Sequence, residues 1–558
     1  MKARRPWFFS APAVAFGDPS GPRTMGRLVL LGLATLFLMR KSTPSPLERC
    51  FEDPEYEGLL DIAKDGLGKA EEPRRIAIVG AGVAGLTAGK VLLDAGHKVT
   101  ILEASSCVGG RMETYRDPEG GWYVDLGPRR LPFSHRIVRE YVAKYGLKLN
   151  YYSDGNGNTW YLVNNIRARV KEVEKNPDIL GYPVDPSERG KSAVELYYEA
   201  LKPIEEDLAR SNCSHVLEKY DAYSLKAYLI EKGNLSHAAV RMIGDLMNLS
   251  AEFSRSFIEF LREVFLFTHE KRYDEIAGGF DMLPRAIHQS LPAGAVMLNS
   301  TVAEILREGD TVSVLYHPSS SLESSGTILA DYVIVTSTAE ATRLIRFHPP
   351  LSPAKTQALR SLRSTGATKV ALACAKKFWE EEGEEIYGGT STSDLPSRIT
   401  TYPNRNFSGG LGVILGSQTY GDDSEFFAPL SPQQAVGVVL RDLSTIHRRP
   451  LEELRRLCSR WVVKKWNLDP HAMGAFTLLW PYQLSEHAEA LARKEGRVYF
   501  AGEHTALPHG WIDTAMKSAL RAARDVHQHA GAQGCGHETG IFGDQGSSSE
   551  VVNLLDPL

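Results

Sequence analysis

Two adjacent arginines, Arg129 and Arg130, stand in the stretch DLGPRRLP, directly after the apolar, strand-like segment GWYVDLG. A surface loop accommodates such a pair at no cost. A buried guanidinium, however, needs an anion or a ring of acceptors, because an unpaired buried charge is costly. If this loop is buried, the two side chains predict a site for an anion.

A glycine-rich turn between two β-branched segments is the strongest chemical signal. The stretch RRIAIVGAGVAGLTAGKVLLDAGHKVTILEAS predicts a strand, a turn, a helix and a second strand that ends at Glu103. In the turn, Gly80 permits tight bending, Gly82 lets backbone approach a pyrophosphate, and Gly85 lets helix and strand pack closely. Glu103 is positioned for a ribose 2′-hydroxyl. The order of these elements favours a dinucleotide site over a glycine-rich turn that binds nothing.

The segment after the second strand indicates which dinucleotide is bound. VGGRMET places Gly109, Gly110 and Arg111 just past that strand. A second glycine pair at this point is typical of proteins that bind FAD rather than NAD. An arginine there can neutralise the pyrophosphate from its other side.

The elements that must position these residues alternate between strands and helices. Residues 187–272 have helical spacing and few glycines, which predicts an inserted helical domain. Strand-like sequence returns in DYVIVTST (331–338) and in GRVYFAGEH (496–504), and a helical segment follows the latter. The predicted fold class is α/β, with a discontinuous Rossmann-like FAD-binding domain, a mixed α+β substrate domain and an inserted helical domain.

The predicted boundaries follow these changes of pattern. They are 1–41 for a signal or targeting segment, 42–72 for an N-terminal segment joining the substrate domain, 73–112, 275–362 and 490–530 for the FAD-binding domain, 113–170 and 363–489 for the substrate domain, 171–274 for the helical domain and 531–558 for a Gly/Ser-rich disordered tail.

Composition limits the kind of ligand. A chain of 558 residues is too long for one core, and 43% apolar with 24% charged residues is ordinary for globular proteins. A formal net charge of -4 gives no reason to expect nucleic acid, so the anion must be small and locally held. The six cysteines lack CxxC spacing, so no metal site is expected.

The N-terminal 41 residues indicate targeting rather than fold. The apolar run LVLLGLATLFLM (28–39) has basic flanks, is too short for a stable membrane span and suits a secretory signal. The stretch before it is basic and free of acids until Asp18, which leaves a mitochondrial presequence as the alternative. We favour secretion, with a lysosomal destination also open. Glycosylation sequons support the secretory route and occur at Asn212, Asn234, Asn248, Asn299 and Asn406.

Several longer stretches are distinctive, namely RVYFAGEHTALPHGWIDTAMKSALRAARDV, GGRMET, DLGPRRLP, TSTSDLPSR and EKRYDEIAGGFDMLP. Together they resemble the flavin amine oxidase superfamily and, within it, the secreted L-amino-acid oxidases of snake venoms and vertebrate tissues. The resemblance runs from about Pro46 to Val526. It implies that the α-hydrogen of an L-amino acid passes as hydride to flavin N5, that the imino acid hydrolyses to a 2-oxo acid and ammonia, and that dioxygen is reduced to hydrogen peroxide.

The resemblance also implies non-covalent FAD. A glutamate after a strand is often only a helix cap, but the surrounding AGEH favours a cofactor role for Glu503. With the glycine loop included, the predicted cofactor-binding residues are Gly80, Gly82, Val83, Ala84, Gly85, Glu103, Ala104, Gly110, Arg111, Gly127, Pro128, Arg129, Arg130, Val302, Glu503, Gly510, Trp511, Ile512, Asp513, Thr514 and Ala515.

For the substrate, the resemblance implies that Arg130 pairs with the α-carboxylate and that the Gly510 carbonyl accepts the amino group. Lys369 would hold a water near flavin N5 and help dioxygen react, although a lone lysine in a strand is more often an edge residue. Arg129 receives no substrate role, and we expect it to turn outward or towards the cofactor. The other predicted substrate-binding residues are Gln418, Tyr420, Phe476, His509 and Trp511.

Two positions depart from the snake pattern. Gln418 stands where a tyrosine gives the carboxylate a second hydrogen bond, and Tyr420 follows two positions later. Gln418 can still donate through its amide, but it is equally well interpreted as a solvent-facing residue after a strand. Glu263 stands near where a histidine is expected, so no acid or base role is transferred to it.

The family's two disulfides would correspond to Cys50 with Cys213 and Cys374 with Cys458, leaving Cys107 and Cys535 unpaired. We also expect a homodimer or higher homo-oligomer.

Two other functions stay open. A polyamine or monoamine oxidase of the same superfamily is compatible with Phe476 facing Trp511, but Arg130 argues against it. The second is a non-catalytic glycoprotein that contains FAD.

Overall fold

The computed structural model describes residues 46–534, apart from residues 154, 269, 271, 321–325, 404 and 408–409. The predicted targeting segment 1–41, Cys535 and the chain beyond Gly534 lie outside the described residues. The predicted tail is wrong at its start, because residues 531–534 continue the helix Ile512–Gly534. Among the described helices, none is both long enough and apolar enough to cross a membrane.

A five-stranded sheet, called the central sheet here, lies at the base of the fold. Its strands are parallel to one another, and the run Tyr332–Val335 is buried throughout, as expected of a sheet covered on both faces. The helix Val83–Asp94 follows the first strand through Gly82, which confirms the predicted strand, turn, helix and strand. The spatial order of the strands is Val296–Met297, Lys98–Leu102, Arg75–Val79, Tyr332–Val335 and Val498–Phe500.

Alternate residues of the central sheet pack against different layers. Ile76 and Ile78 join a core formed with helices, whereas Ala77 and Val79 face a second, four-stranded sheet. The helices of the first layer are Tyr56–Asp65, Val83–Asp94, Arg136–Lys144, Met282–Gln289 and Ile512–Gly534. The strands of the second layer, in spatial order, are Gly326–Ala330, Thr311–Pro318, Ser300–Glu308 and Arg346–His348.

A seven-stranded mixed sheet, called the substrate sheet here, lies apart from the central sheet. Two of its strands, Ala367–Cys374 and Gly412–Tyr420, are adjacent and antiparallel, and this pairing sets Lys369 directly opposite Gln418. The helices Pro432–His447 and Leu451–Leu457 cover one face with an apolar core. The strands, in spatial order, are Arg460–Lys465, Ala367–Cys374, Gly412–Tyr420, Ile399–Thr401, Thr390–Ser393, Trp160–Val163 and Ile166–Arg169.

A layer of short helices, called the helical layer here, confirms the predicted helical insertion. Their apolar faces meet in one core that includes Leu196, Leu217 and Leu229. The helices are Ala193–Ala200, Lys202–Arg210, Cys213–Asp221, Leu225–Glu231, His237–Leu246 and Phe257–Thr268.

Two disulfides fasten this arrangement, and both were predicted. The Cys50–Cys213 bridge ties the N-terminal helix Pro46–Phe51 to the helical layer. The Cys374–Cys458 bridge ties a strand of the substrate sheet to the end of the helix Leu451–Leu457. Cys107 is a free, exposed cysteine.

The N-terminal segment packs against layers other than the predicted substrate domain. The domain boundaries themselves stay a prediction. Residues 42–72 were expected to join the substrate domain. Instead, Leu47 and Phe51 are buried in the helical layer, and Leu59 and Leu60 are buried against the helices of the central sheet. The apolar faces of these two short helices therefore decide their placement.

Shorter elements connect the layers. Small sheets form from Thr114–Arg116 with Tyr123–Asp125, from Leu131–Pro132, Tyr273–Ile276 and Leu149–Tyr152, and from Arg363–Thr365 with Phe476–Leu478. The remaining helices are Val170–Val173, Ala339–Thr342, Pro353–Ser361, Gly421–Glu425 and Gln483–Ala492, with 3-10 turns at Pro177–Leu180, Ser250–Glu252, Phe378–Glu380, Trp466–Leu468 and Glu503–Thr505.

Candidate active site

A cavity of about 1280 Å³ is lined by the central sheet, the substrate sheet and the helical layer. It brings together residues that are hundreds of positions apart in the chain. The predicted site residues that line it are Gly80, Gly82, Val83, Ala84, Glu103, Ala104, Gly110, Arg111, Gly127, Pro128, Arg129, Arg130, Val302, Lys369, Gln418, Tyr420, Phe476, Glu503, His509, Gly510, Trp511, Ile512 and Ala515.

Three predicted cofactor residues belong to the protein interior instead. A Cβ on Gly85 would lie 1.9 Å from the Gly80 carbonyl oxygen, so this glycine permits close packing and does not line the cavity. The Asp513 carboxylate accepts hydrogen bonds from the Tyr56 hydroxyl at 2.8 Å and from a backbone amide. The Thr514 hydroxyl donates to a backbone carbonyl at 2.7 Å. The close packing predicted for Gly85 is therefore observed, and the cofactor role of Asp513 and Thr514 stays a prediction.

The start of the helix Val83–Asp94 faces one end of the cavity. Apart from Gly82 and its two chain neighbours, no described heavy atom lies within 4 Å of the point where a Cβ of Gly82 would stand, so there is open space against the backbone. The first amides of a helix have no partner within the helix, and its dipole favours an anion there. The Gly109 amide donates to the Ala81 carbonyl at 2.9 Å, which sets the second glycine pair against the first. This end of the cavity fits a pyrophosphate.

Glu103 stands at the end of the second strand of the central sheet, beside this pyrophosphate position. One of its carboxylate oxygens accepts the Ala81 amide at 2.7 Å and the other accepts the Ser105 amide at 2.9 Å. Each oxygen of a carboxylate can accept more than one hydrogen bond, so both remain able to bind a ribose hydroxyl. The two amides hold the carboxylate in a single orientation.

Arg111 and Glu503 form an ion pair in the cavity wall. Arg111 donates to Glu503 Oε1 at 2.8 Å and to the Ala475 carbonyl at 3.1 Å. The Gly510 amide donates to Glu503 Oε2 at 3.0 Å. Burial opposes ionisation of Glu503, but the positive charge of Arg111 and nearby histidines hold its pKa at about 2. The carboxylate thus connects the arginine predicted at the pyrophosphate with the loop predicted at the substrate.

Both arginines of the DLGPRRLP loop line the cavity. The Arg130 guanidinium carbon lies 4.7 Å from the centre of the Tyr273 ring. Arg129 donates to the Thr401 hydroxyl at 2.9 Å, so the alternative that it turns outward is wrong. The loop is therefore not an ordinary surface loop, and its two positive charges face the same enclosed space.

Lys369 is almost completely buried, with 3% of its surface exposed. Its Nζ donates to the carbonyl oxygens of Gly127 at 2.5 Å and Asp125 at 3.2 Å. Burial and the neighbouring charge of Arg129 lower the pKa of Lys369 to about 7. The reading of this lysine as a surface or edge residue is therefore wrong, and its ammonium can lose a proton near neutral pH.

Gln418 is 1% exposed, so it is not the solvent-facing residue of the alternative interpretation. Its Nε2 contacts the hydroxyl of Tyr420, two positions along the same strand. The Tyr420 ring lies 5.6 Å from the Phe476 ring, and a Cβ on Gly510 would lie 3.1 Å from Phe476. These contacts form a continuous wall from Gly510 to Gln418.

His509 and Trp511 flank Gly510, and each is held by a different partner. His509 Nδ1 lies 2.6 Å from Glu259 Oε1, and the Trp511 ring lies 5.0 Å from the His135 ring in an edge-to-face arrangement. Gly510 itself has φ +81°, a left-handed conformation that favours glycine. The peptide that would receive the substrate amino group is therefore fixed on both sides.

The sequence analysis missed Glu252 and Glu259 and gave Glu263 no role. Glu252 and Glu263 line the cavity, and Glu259 lies behind them in contact with His509. The only signal was the spacing of Arg255, Glu259 and Glu263, which are four residues apart and share one side of a helical path. That spacing does not indicate which layer of the protein the helix face packs against. The position of these glutamates at the cavity could therefore not be predicted.

The fold and the cavity define a dinucleotide-binding protein with lining residues left for a second ligand beside the dinucleotide site. Residues 83–527 match the family described as flavin containing amine oxidoreductase, and the chain belongs to this family. Its cofactor is FAD, which the glycine loops, Glu103 and Arg111 fit.

Individual relatives agree with this assignment. The chain is 52% identical to an L-amino-acid oxidase of Bungarus fasciatus, over 87% of this chain and 92% of that protein. It is 51% identical to the L-amino-acid oxidase of Naja atra, over 89% and 97% of the two chains.

Solved structures show the same fold at lower identity. Putrescine oxidase superposes with a TM-score of 0.66 at 20% identity, covering 82% of this chain and 99% of that one. Cyclohexylamine oxidase from Brevibacterium oxydans gives a TM-score of 0.64 at 18% identity, covering 83% and 99%. The predicted α/β fold class with an FAD-binding unit is confirmed.

Proposed function

We propose that this protein is an FAD-dependent L-amino-acid oxidase. It would convert an L-amino acid, dioxygen and water to a 2-oxo acid, ammonia and hydrogen peroxide. The relatives named L-amino-acid oxidase support this activity. The observation on which it rests is that Arg130, a fixed cation, lines the same cavity as the dinucleotide loop, because an amine oxidase that acts on amines without a carboxylate has no need of such a cation.

FAD would be held at the glycine loops, Glu103 and Val302, and would extend past Arg111 towards Gly127 and Gly510. When bound, FAD supplies the two-electron acceptor for the α-hydrogen and the route by which those electrons reach dioxygen. The protein supplies the position of the substrate and the charges around it.

Two groups would orient the amino acid. Arg130 offers a planar fork of N–H donors to the α-carboxylate, a geometry that suits two parallel hydrogen bonds. The Gly510 carbonyl would accept an N–H of the amino group, because the Glu503 and His509 contacts fix this peptide. Phe476 and Trp511 then flank the remaining space for the side chain. Together these contacts determine which face of Cα is presented.

Lys369 would act on the oxygen side of the reaction. Its ammonium is buried and held by two carbonyl oxygens, which leaves further donor capacity for a water. A positive charge at this position favours the transfer of electrons to dioxygen, because it stabilises negative charge developing on oxygen.

A hydrogen peroxide assay tests the proposal. The purified protein is incubated with each of the twenty L-amino acids, the matching D-amino acids and a set of primary amines and polyamines. Peroxide and a 2-oxo acid from L-amino acids support the proposal. Peroxide from amines alone would assign a polyamine or monoamine oxidase, and a yellow protein that gives no peroxide would assign a non-catalytic role.

We also propose that the protein is secreted. The two disulfides suit an oxidising compartment, and Asn212, Asn234, Asn299 and Asn406 are exposed. Asn248 differs from these four, because its Oδ1 is buried and the residue lines the cavity, so we no longer expect a glycan there. Nothing in the comparisons supports a lysosomal destination.

Expression in animal cells tests secretion. The protein should appear in the medium and lose apparent mass on treatment with an N-glycosidase. Retention in mitochondria as a reduced, unglycosylated protein would overturn this localisation. The homo-oligomer and the domain boundaries stay predictions.

A further inference from the structure

A group of ionisable side chains from the helical layer, called the acidic wall here, borders the cavity. It consists of Glu252, Glu259 and Glu263 around Arg255. The Arg255 guanidinium lies 2.5 Å from Glu263, 3.4 Å from Glu252 and 3.6 Å from Glu259. One guanidinium thus faces three carboxylates. Glu259 also contacts His509, whereas Glu252 and Glu263 line the cavity.

The two carboxylates that line the cavity are not fully sealed from it. The Glu263 side chain is 22% exposed and that of Glu252 is 12% exposed, whereas Glu259 and Arg255 are buried at 0% and 3%. Burial raises the pKa of Glu252 to about 7, and the charges of Glu263 and Glu259 raise it further against the effect of Arg255. Glu252 and Glu263 therefore face the cavity, whereas Arg255, which pairs with both, does not line it.

Backbone packing places this wall next to the proposed substrate side chain. A Cβ on Gly421 would lie 2.7 Å from the Ala251 carbonyl oxygen, so the turn that contains Glu252 packs against the residue after Tyr420. Tyr420 in turn pairs with Phe476, which contacts Gly510. A substrate whose amino group is at Gly510 would extend its side chain past this aromatic pair towards Glu252.

A second observation indicates a ligand rich in N–H donors. Gln418 is 1% exposed and lines the cavity, and its Oε1 is buried without a hydrogen-bond partner among the described residues. The Asn248 Oδ1, also on the cavity wall, is buried and equally unpartnered within the described part of the chain. Both atoms are acceptors. Ammonium and guanidinium groups have donors only, so they match such acceptors.

We propose that the side-chain subsite of this protein takes a cation, so that its substrates include L-amino acids whose side chain ends in an ammonium or guanidinium group. Glu252 and Glu263 are the specificity-determining residues that bind this cation. The proposal rests on the proposed oxidase function. Two cations, Arg129 and Arg130, also line the cavity. Arg129 bonds to Thr401 on the substrate sheet and Arg130 lies over Tyr273, and neither belongs to the acidic wall.

The test compares substrates that differ in the terminal cation. L-lysine and L-norleucine have the same four-carbon side chain, and only lysine ends in an ammonium group. The FAD-loaded protein and its Glu252→Gln and Glu263→Gln variants are assayed for kcat/KM with both substrates and with L-arginine. Each variant should lower the ratio of lysine to norleucine by about 10- to 100-fold, since the amide keeps an acceptor but lacks the negative charge that pairs with the ammonium.

Glu270→Gln is the matched control, because Glu270 also lines the cavity but bonds to Ser134 outside the acidic wall. It should leave the lysine to norleucine ratio unchanged. Equal ratios in the wild type and in both wall variants would overturn the proposal, as would an equal effect of Glu270→Gln or a preference for L-glutamate. If no L-amino acid, norleucine included, is oxidised, the proposed function fails instead.

Discussion

The Nδ1 atom of His509 lies 2.6 Å from Oε1 of Glu259, although 250 positions separate the two residues in the chain. Both side chains are buried, and Glu259 also accepts the Leu479 amide. This contact joins the helical layer to the loop that presents the Gly510 carbonyl. Under the proposed function, His509 would therefore be a positioning residue that acts through the neighbouring Gly510 peptide.

Removal of this contact should destabilise the protein and disturb the loop. Glu259→Ala removes the carboxylate that His509 contacts and one of the three carboxylates around Arg255. Breaking a buried pair in this way costs about 3 to 5 kcal/mol. Glu259→Gln retains an acceptor for His509 and should restore most of kcat, even where stability remains lower. Thermal unfolding and steady-state kinetics with FAD bound measure the two effects. If Glu259→Ala melts at the wild-type temperature and has the wild-type kcat, the contact neither stabilises the protein nor positions the loop.

Arg130→Ala should weaken catalysis with amino acids selectively. Truncating one partner of a desolvated charge pair costs about 2 to 5 kcal/mol, which is roughly 30- to several-thousand-fold in kcat/KM. The loss should appear with L-phenylalanine and be far smaller with phenethylamine, because the amine has no carboxylate to pair. FAD absorbance should be unchanged.

Arg129→Ala is the control for that variant. Its guanidinium is bound to Thr401, so its removal should cost much less with either substrate. Equal losses for amino acid and amine in Arg130→Ala, or a larger loss in Arg129→Ala, would mean that the loop supports the cofactor and does not bind the carboxylate.

Lys369→Met should slow the reaction with dioxygen by about 10- to 100-fold while leaving reduction by substrate nearly unchanged. Stopped-flow mixing of the reduced protein with oxygen measures this. In the wild type the rate should fall as pH rises through about 7, since Lys369 is protonated below its lowered pKa and neutral above it. The variant should show no such titration. A pH dependence that persists in Lys369→Met would assign it to another group.

FAD should leave the protein on acid or heat treatment. The residues that fit it are amides, a carboxylate and an arginine, which form no covalent bond. The free cysteine of the described chain, Cys107, lies beside Ser105 at the ribose end of the cavity. Flavin fluorescence of the supernatant after precipitation measures release. Flavin that remains with the precipitate would show covalent attachment.

Loss of the Cys50–Cys213 bridge should lower stability by about 2 to 5 kcal/mol, because it crosslinks residues 163 positions apart. The Cys50→Ser/Cys213→Ser double variant should therefore melt at a lower temperature. Cys107→Ser is the control, since this cysteine is exposed and free. Equal melting temperatures for wild type and double variant would show that the bridge contributes nothing measurable.

The sequence by itself determined the dinucleotide unit. Its strand, turn, helix and second strand are contiguous, and each glycine serves a backbone requirement within a few residues of itself. The resemblance of longer motifs then gave the disulfide pairs and most of the cavity residues. These predictions depend on local structure, or on positions that match a whole family pattern.

Only the tertiary structure decided how distant segments meet. Strand register sets Lys369 opposite Gln418 and buries both, which no local pattern of exposed or buried residues indicated. The packing of the helical layer brings Glu252 and Glu263 to the cavity wall, while Asp513 turns inward to Tyr56. Such contacts depend on how apolar faces of separate layers fit together, and that fit is a property of the whole packed chain, not of any one segment.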